Sequence, residues 1–254
     1  MKASDFLIAE EINKIIKALS RDMHENVKHY REIQEEYREY IETWVHEIKT
    51  PIASSKLLIE NNNNNDVTKK IDMQIDKIDN YVEQVLYYSR SNEVGKDYII
   101  KEVSIEDVVK KVVKRNFRNF LEKNIKLQLT DIKETVFCDP KWMEFIINQV
   151  ISNSIKYCNT KGAVIKIYAV NEKNFVSLNI EDNGVGIVER DLKRVFEKGF
   201  TGENGRLFGM STGMGLYLCK KLCNKLGLAI SISSQEEKGT IVMIVFPKNN
   251  FVIK

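Results

Sequence analysis

Apolar residues step along the first half of the chain at intervals of three and four. From Ile12 the stripe runs through Ile15, Leu19, Met23, Val27, Tyr30, Ile33, Tyr37, Ile41, Val45 and Ile48 to Ile52. That spacing predicts one long helix with a single apolar face, like a coiled-coil seam. Five asparagines and Asp66 then fill positions 61–66, a polar run with poor helix propensity that reads as a turn. A second helix is predicted beyond it, with Ile71, Ile75, Ile78, Val82, Val85 and Leu86 on one face. Two such helices bury their faces poorly alone. An antiparallel hairpin paired with a second copy makes a four-helix bundle, so an all-α dimerisation hairpin and a homodimer are expected.

From about Tyr98 the pattern changes. Ser104 with Asp107 three residues on reads as a helix cap, and Asp139-Pro140 as a second helix start. The helix begun there is expected to reach about Tyr157. Strands are predicted over 164–170, 175–180, 228–233 and 240–246, with a helix over 216–226. Helices and strands without regular alternation suggest an α/β sandwich, a mixed sheet with helices on one face.

Composition sharpens this division. The 254 residues suit one or two domains, and 43% hydrophobic with 30% charged residues supports packed cores. None of the twelve glycines precedes Gly95, and eight lie between Gly184 and Gly215. A helical first half and a loop-built site in the second follow. A net charge of +3 over this length argues against a nucleic-acid partner, which favours a concentrated basic face. The longest stretch without Asp, Glu, Lys or Arg is the 13 residues 207–219, too short and too glycine-rich to cross a bilayer. The charged opening segment does not read as a signal peptide. Cys138, Cys158, Cys219 and Cys223 form no CxxC pair; Cys219 and Cys223 lie one helical turn apart and can share a metal, but buried, reduced thiols are the expectation.

Four segments carry chemistry. In His46-Glu-Ile-Lys-Thr-Pro51, with 100° per residue, His46 points about 130° away from the Ile41–Val45–Ile48–Ile52 face. An exposed imidazole beside a carboxylate can be a nucleophile: the acid holds the proton of one ring nitrogen and the other attacks. Thr50 lies one turn on, and Pro51 removes an amide and should kink the helix. His24 and His29 lack this context and read as surface residues. In the second segment Asn153, Lys156 and Tyr157 share a helix face. An amide oxygen suits Mg²⁺, a lysine suits phosphate and a tyrosine can lie against a base. The third is Glu181-Asp-Asn-Gly184-Val-Gly186-Ile187 after a strand, and the fourth is Ser211-Thr-Gly213-Met-Gly215-Leu216 before a helix. Glycines before a helix let amides approach an anion. Between them Lys198, Gly199, Gly202, Gly205 and Arg206 read as a lid over a nucleotide.

In this order the segments resemble the motifs of bacterial two-component sensor histidine kinases. His46 to Pro51 resembles their H box, Asn153 to Tyr157 the N box, and Asp182 to Gly186 the first glycine box. Val195-Phe196-Glu-Lys198-Gly-Phe200 resembles the F box, Gly213-Met-Gly215 the second glycine box, and Lys238-Gly-Thr240 a final nucleotide-site strand. The wording is similar to the intramembrane-sensing subgroup that works beside peptide-resistance transporters. The resemblance implies an ATP-binding domain of the GHKL type and organises the chain as a connector helix over 1–38, a dimerisation and phosphotransfer domain over 39–95 and a catalytic domain over 96–254. It implies His46 as phosphoacceptor, Glu47 as general base and Thr50 as the residue orienting water for phosphatase action on a response regulator. It implies Asn153 as the Mg²⁺ ligand, Asp182 as the acceptor for the adenine amino group and Lys156 at phosphate. Tyr157, Gly184, Gly186, Phe196, Lys198, Arg206, Gly213, Gly215 and Thr240 complete the ATP site. It implies a homodimer, a cognate response regulator, a peptide-resistance ABC transporter as a further partner, and a place as the cytoplasmic portion of a bacterial cell-membrane protein. The sequence departs from the pattern at Gln149, where many members carry asparagine four residues before the Mg²⁺ ligand; Asn148 stands one place earlier.

Overall fold

The computed structural model describes residues 3–61, 66–91, 99–159, 162–207 and 211–248. The chain divides into two units, 1–90 and 91–254.

The first unit is a helical hairpin. Helix α1 (Ala3–Asn61) runs through Pro51 without interruption, and α2 (Asp66–Arg90) follows. The expected turn lies largely outside the described residues, at 62–65. The helices are antiparallel: Glu42 near the middle of α1 accepts from Arg90 Nε at 2.8 Å, while Lys56 near its end meets Asp76 at 2.9 Å and Asp79 at 3.2 Å. Their shared core is Ile41, Val45, Ile52 and Val82, flanked by Ile48, Ile75 and Leu86. Above it the α1 stripe is bare in the single chain: Ile12, Ile15, Leu19, Met23 and Val27 are each at least 48% exposed.

The second unit opens with β1 (Lys101–Ser104), α3 (Ile105–Arg115), α4 (Phe117–Glu122), β2 (Lys126–Thr130) and β3 (Thr135–Cys138). Then come α5 (Pro140–Lys156), β4 (Val164–Asn171), β5 (Phe175–Asp182), the short α6 (Glu189–Leu192) and α7 (Gly202–Leu207), α8 (Gly215–Lys225), β6 (Ala229–Gln235) and β7 (Gly239–Pro247). Both expected caps form. Ser104 Oγ accepts from the Asp107 amide at 3.2 Å; Asp139 accepts from the amides of Lys141 and Trp142 at 2.8 and 3.0 Å. Strands β1 and β3 pair antiparallel as a small ribbon. The main sheet has the order β2-β4-β5-β7-β6, parallel only between β2 and β4.

Helices α3, α5 and α8 pack together, and α5 and α8 touch the sheet. The face they cover is apolar, with Ile165, Ile167, Leu178, Ile180, Ile230, Val242 and Ile244 all buried. The opposite face carries the cross-strand pair Lys166–Glu181 at 2.8 Å. Alternation on β4 follows from this arrangement, because Val164, Lys166, Tyr168 and Val170 turn away from the helices while Ile165, Ile167 and Ala169 turn inward. All four cysteines are free and buried, and the described residues hold no cluster of three or more His, Cys, Asp or Glu that suits a metal. Among the described residues no helix is long and apolar enough to cross a membrane.

Candidate functional site

Two sets of expected residues lie on separate units. On α1, Val45 is buried while His46, Glu47 and Thr50 are exposed, as the helical phase predicts. The Thr50 hydroxyl donates back to the His46 carbonyl at 3.3 Å, one turn away. This back-bond holds the Thr50 side chain close to the axis below His46.

The larger set converges at one end of the main sheet. Strand β5 ends in Asp182, buried at 8% exposure. Its carboxylate accepts from Ser154 Oγ at 2.8 Å, from the Gly184 amide at 3.0 Å and from the Thr240 amide on β7. Burial pushes its pKa up, and those three hydrogen bonds pull it partly back, Gly184 most strongly. The first glycine turn then folds over the end of α5. The Val185 amide donates to the Tyr157 carbonyl at 3.1 Å, and a Cβ on Gly184 would stand 2.4 Å from that same oxygen. Gly186 has φ +71°, and a Cβ there would lie 2.0 Å from the Gln235 carbonyl. Only glycine meets both conditions. Asn204 on α7 donates to the Gly186 carbonyl at 2.6 Å, tying the second short helix to the turn.

Asn153, Lys156 and Tyr157 end α5, all half-buried. Lys156 Nζ donates to Ser211 Oγ at 2.6 Å, and the Tyr157 hydroxyl lies 3.0 Å from that oxygen. The second glycine turn is held by Gly213, whose carbonyl accepts from the Gly199 amide at 3.1 Å; a Cβ on Gly213 would fall 2.3 Å from Gly199. So the loop carrying Lys198 is stitched to the start of α8. Lys198 itself is exposed, Phe196 is half-buried with Lys220 Nζ 5.6 Å from its ring, and the Arg206 side chain lies outside the described residues. The segment expected as a lid is built of α6, α7 and the turn between them, and 208–210 lie outside the description.

The two candidate amides before Asn153 separate cleanly. Asn148 Oδ1 accepts from Asn116 Nδ2 at 2.8 Å, a buried bond joining α5 to the end of α3. Gln149 instead turns its amide oxygen toward α8, 3.0 Å from where a Gly215 Cβ would stand. Gln149 therefore faces the start of α8, and Asn148 faces the end of α3. Thr240 contributes its amide to Asp182, while its hydroxyl pairs with Ser234 Oγ at 2.9 Å.

Sequence reasoning gave no role to Ser154, Ser211, Ser234 or Asn183. Ser154 had a signal: it interrupts the buried α5 stripe Ile147, Ile151, Ile155 with a hydroxyl, and a buried polar group needs a partner. Asn183 bridges the turn to the start of β4, accepting from the Val164 amide at 2.7 Å and donating to the Gly162 carbonyl at 2.9 Å. Ser211 and Ser234 act across loops, where spacing along the chain carries no information.

Residues 138–250 match the family described as histidine kinase-, DNA gyrase B-, and HSP90-like ATPase. The sensor histidine kinase GraS of Staphylococcus haemolyticus is 30% identical over 249 residues, which is 98% of this chain and 72% of that protein. Sensor histidine kinase YxdK of Bacillus subtilis is 34% identical over 82% of this chain and 64% of its own length. Sensor protein BceS of Halalkalibacterium halodurans is 31% identical over 87% of this chain and 65% of its own. The chain thus spans about two thirds of these curated relatives. Among solved structures, full-length ShkA in complex with AMPPNP covers 82% of this chain and 45% of its own at a TM-score of 0.60 and 20% identity. The Acinetobacter baumannii histidine kinase AdeS covers 81% of this chain and 98% of its own at 0.57 and 23%. At those identities the likeness concerns the fold alone.

Proposed function

The chain belongs to the sensor histidine kinases, and from that membership we propose that it is an ATP-dependent protein-histidine kinase of a two-component system. The observation that carries the reading is Asp182: a buried carboxyl, fixed by Ser154, Gly184 and Thr240 beside two glycine turns, suits recognition of an adenine amino group. A hydrogen bond to a charged partner is worth about 1.5–3 kcal/mol. Lys156 would meet phosphate. Tyr157, Phe196, Lys198, Arg206, Gly213 and Gly215 would frame the nucleotide.

Mg²⁺ fits the donor chemistry. Asn153 offers a hard amide oxygen on the same helix face, with Gln149 one turn before it, and nucleotide phosphates supply the remaining oxygens. The ion, when bound, neutralises charge on the phosphates. On α1, His46 would attack the γ-phosphorus with one ring nitrogen while Glu47 holds the proton of the other. An N–P bond forms as the bond to the ADP oxygen breaks. General-base help of this kind is worth about 10²–10⁴ in rate. Phosphate would then pass to an aspartate of a response regulator. Thr50, held one turn from His46, would orient water when the regulator is dephosphorylated.

We also propose the connector, phosphotransfer and catalytic division of the chain at 38–39 and 95–96, and a setting as the cytoplasmic portion of a bacterial cell-membrane sensor working with a peptide-resistance transporter. The bare α1 stripe supports a homodimer through a four-helix bundle; light scattering that finds one copy at micromolar concentration overturns it. The kinase reading is tested with γ-labelled ATP and Mg²⁺. The expected label is lost in acid, kept in alkali and absent from His46→Gln, which still binds ATP. Label retained by His46→Gln refutes the assignment.

A further inference from the structure

Ser211 bridges two members of the nucleotide site across 55 residues of chain. The Lys156 ammonium carries donors only, so in the 2.6 Å contact the Ser211 oxygen accepts. The same oxygen meets the Tyr157 hydroxyl at 3.0 Å, and Lys156 Nζ stands 5.3 Å from the Tyr157 ring centre. The cation is thus held between a ring and a hydroxyl. A lysine carries about 2 kcal/mol of rotamer entropy on its flexible stem, and a lysine held in advance loses less on binding. Ser211 is itself anchored. Two residues on, the Gly213 carbonyl takes the Gly199 amide, and Gly215 opens α8 against Gln149. One hydroxyl therefore links the end of α5 to the second glycine turn.

We infer that Ser211 is a positioning residue for the nucleotide's phosphates: it acts through Lys156, fixing the ammonium where a phosphate oxygen is to meet it. Its effect is directed at the phosphates and not at the base. The inference rests on the nucleotide-binding reading above, and it predicts a pattern that a structural role would not give.

The test uses the full chain with Ser211→Ala and Ser211→Thr. ATP and ADP are titrated by calorimetry, adenosine by ligand-observed NMR, and autophosphorylation is followed against ATP concentration. Ser211→Ala is expected to bind ATP and ADP about tenfold more weakly and to raise KM by a similar factor, with kcat within about twofold. Adenosine binding and the ligand-free melting temperature stay unchanged. Ser211→Thr keeps the hydroxyl and restores ADP affinity. Unchanged ADP affinity in Ser211→Ala overturns the inference and leaves the kinase reading standing. So does an equal loss for adenosine, which would make the serine merely structural. A parent chain that binds neither ADP nor adenosine overturns both.

Discussion

At Asp182, burial and hydrogen bonding pull the carboxyl in opposite directions. Burial is the larger effect, so the folded-state pKa lies above the ordinary 3.8. The stability linked to this group is fully present below pH 3.8 and is lost as pH rises through the folded-state value. At neutral pH the ionised form is a cost to folding. Asp182→Asn removes that cost and removes the charged acceptor. Its urea midpoint at pH 7 should equal or exceed that of the parent, with the gap shrinking as pH falls toward 3.8. ATP affinity should fall by roughly 10- to 150-fold, the equivalent of one charge-assisted hydrogen bond. A side chain that costs stability and is kept in place by three donors is the profile of a binding residue. The glycine turn that follows Asp182 was legible in the sequence, and the role expected of the carboxyl came from the family resemblance. Its supporting Ser154 was legible only as a hydroxyl out of place on an apolar stripe.

The long helices were legible in the sequence and the shortest strands were not. The start of α5 was readable because Asp139 and Pro140 occupy cap and first-turn positions, and the cap forms with two amides. Asp139 also takes the Ile99 amide at 2.8 Å, fastening the segment before β1 to the helix start. Asp139→Ala should therefore cost about 1–2 kcal/mol, a little more than a cap alone, read as a lower urea midpoint with an unchanged slope. Strands β1, β2 and β3 went unpredicted. They hold only four or five residues each, and Lys101, Glu102 and Lys126 mask any alternation. Strand β2 is set by pairing with β4, about 38 residues away, a tertiary cause that no local window contains. On α1 the buried face was readable at Ile41, Val45 and Ile52, with Ile48 beside them, as was the exposure of His46. Pro51 does not end the helix, which continues ten residues past it.

The whole chain is two units with separate cores, and ligands should register that division. The expected nucleotide residues all lie in 91–254, so saturating ATP should raise the melting of that unit and leave the hairpin's unmoved. At a hundredfold excess over Kd the gain is about 2.7 kcal/mol. Domain-resolved hydrogen exchange reads it; equal protection of α1 and α2 would contradict the division. What sequence supplied at this scale was the glycine asymmetry and the period change near Tyr98. It did not supply the contacts by which Gly199, Gly213, Lys156 and Ser211 meet. The cysteines lead somewhere different. All four belong to the second unit and are buried, and burial pushes the Cys138 and Cys223 thiols up to about 12, with Cys158 and Cys219 also raised. At pH 7 a thiol of pKa about 12 is ionised in only about one molecule in 10⁵, and the thiolate is the reacting form. The folded chain should be almost inert to alkylating reagents, and alkylation should proceed only through molecules that have opened. A brief pulse of iodoacetamide followed by mass spectrometry therefore counts the unfolding events of the nucleotide-binding unit alone, blind to the hairpin. For the same reason a single cysteine placed on an exposed position would be the one fast-labelling site in the protein, a dye attachment point that needs no native thiol removed.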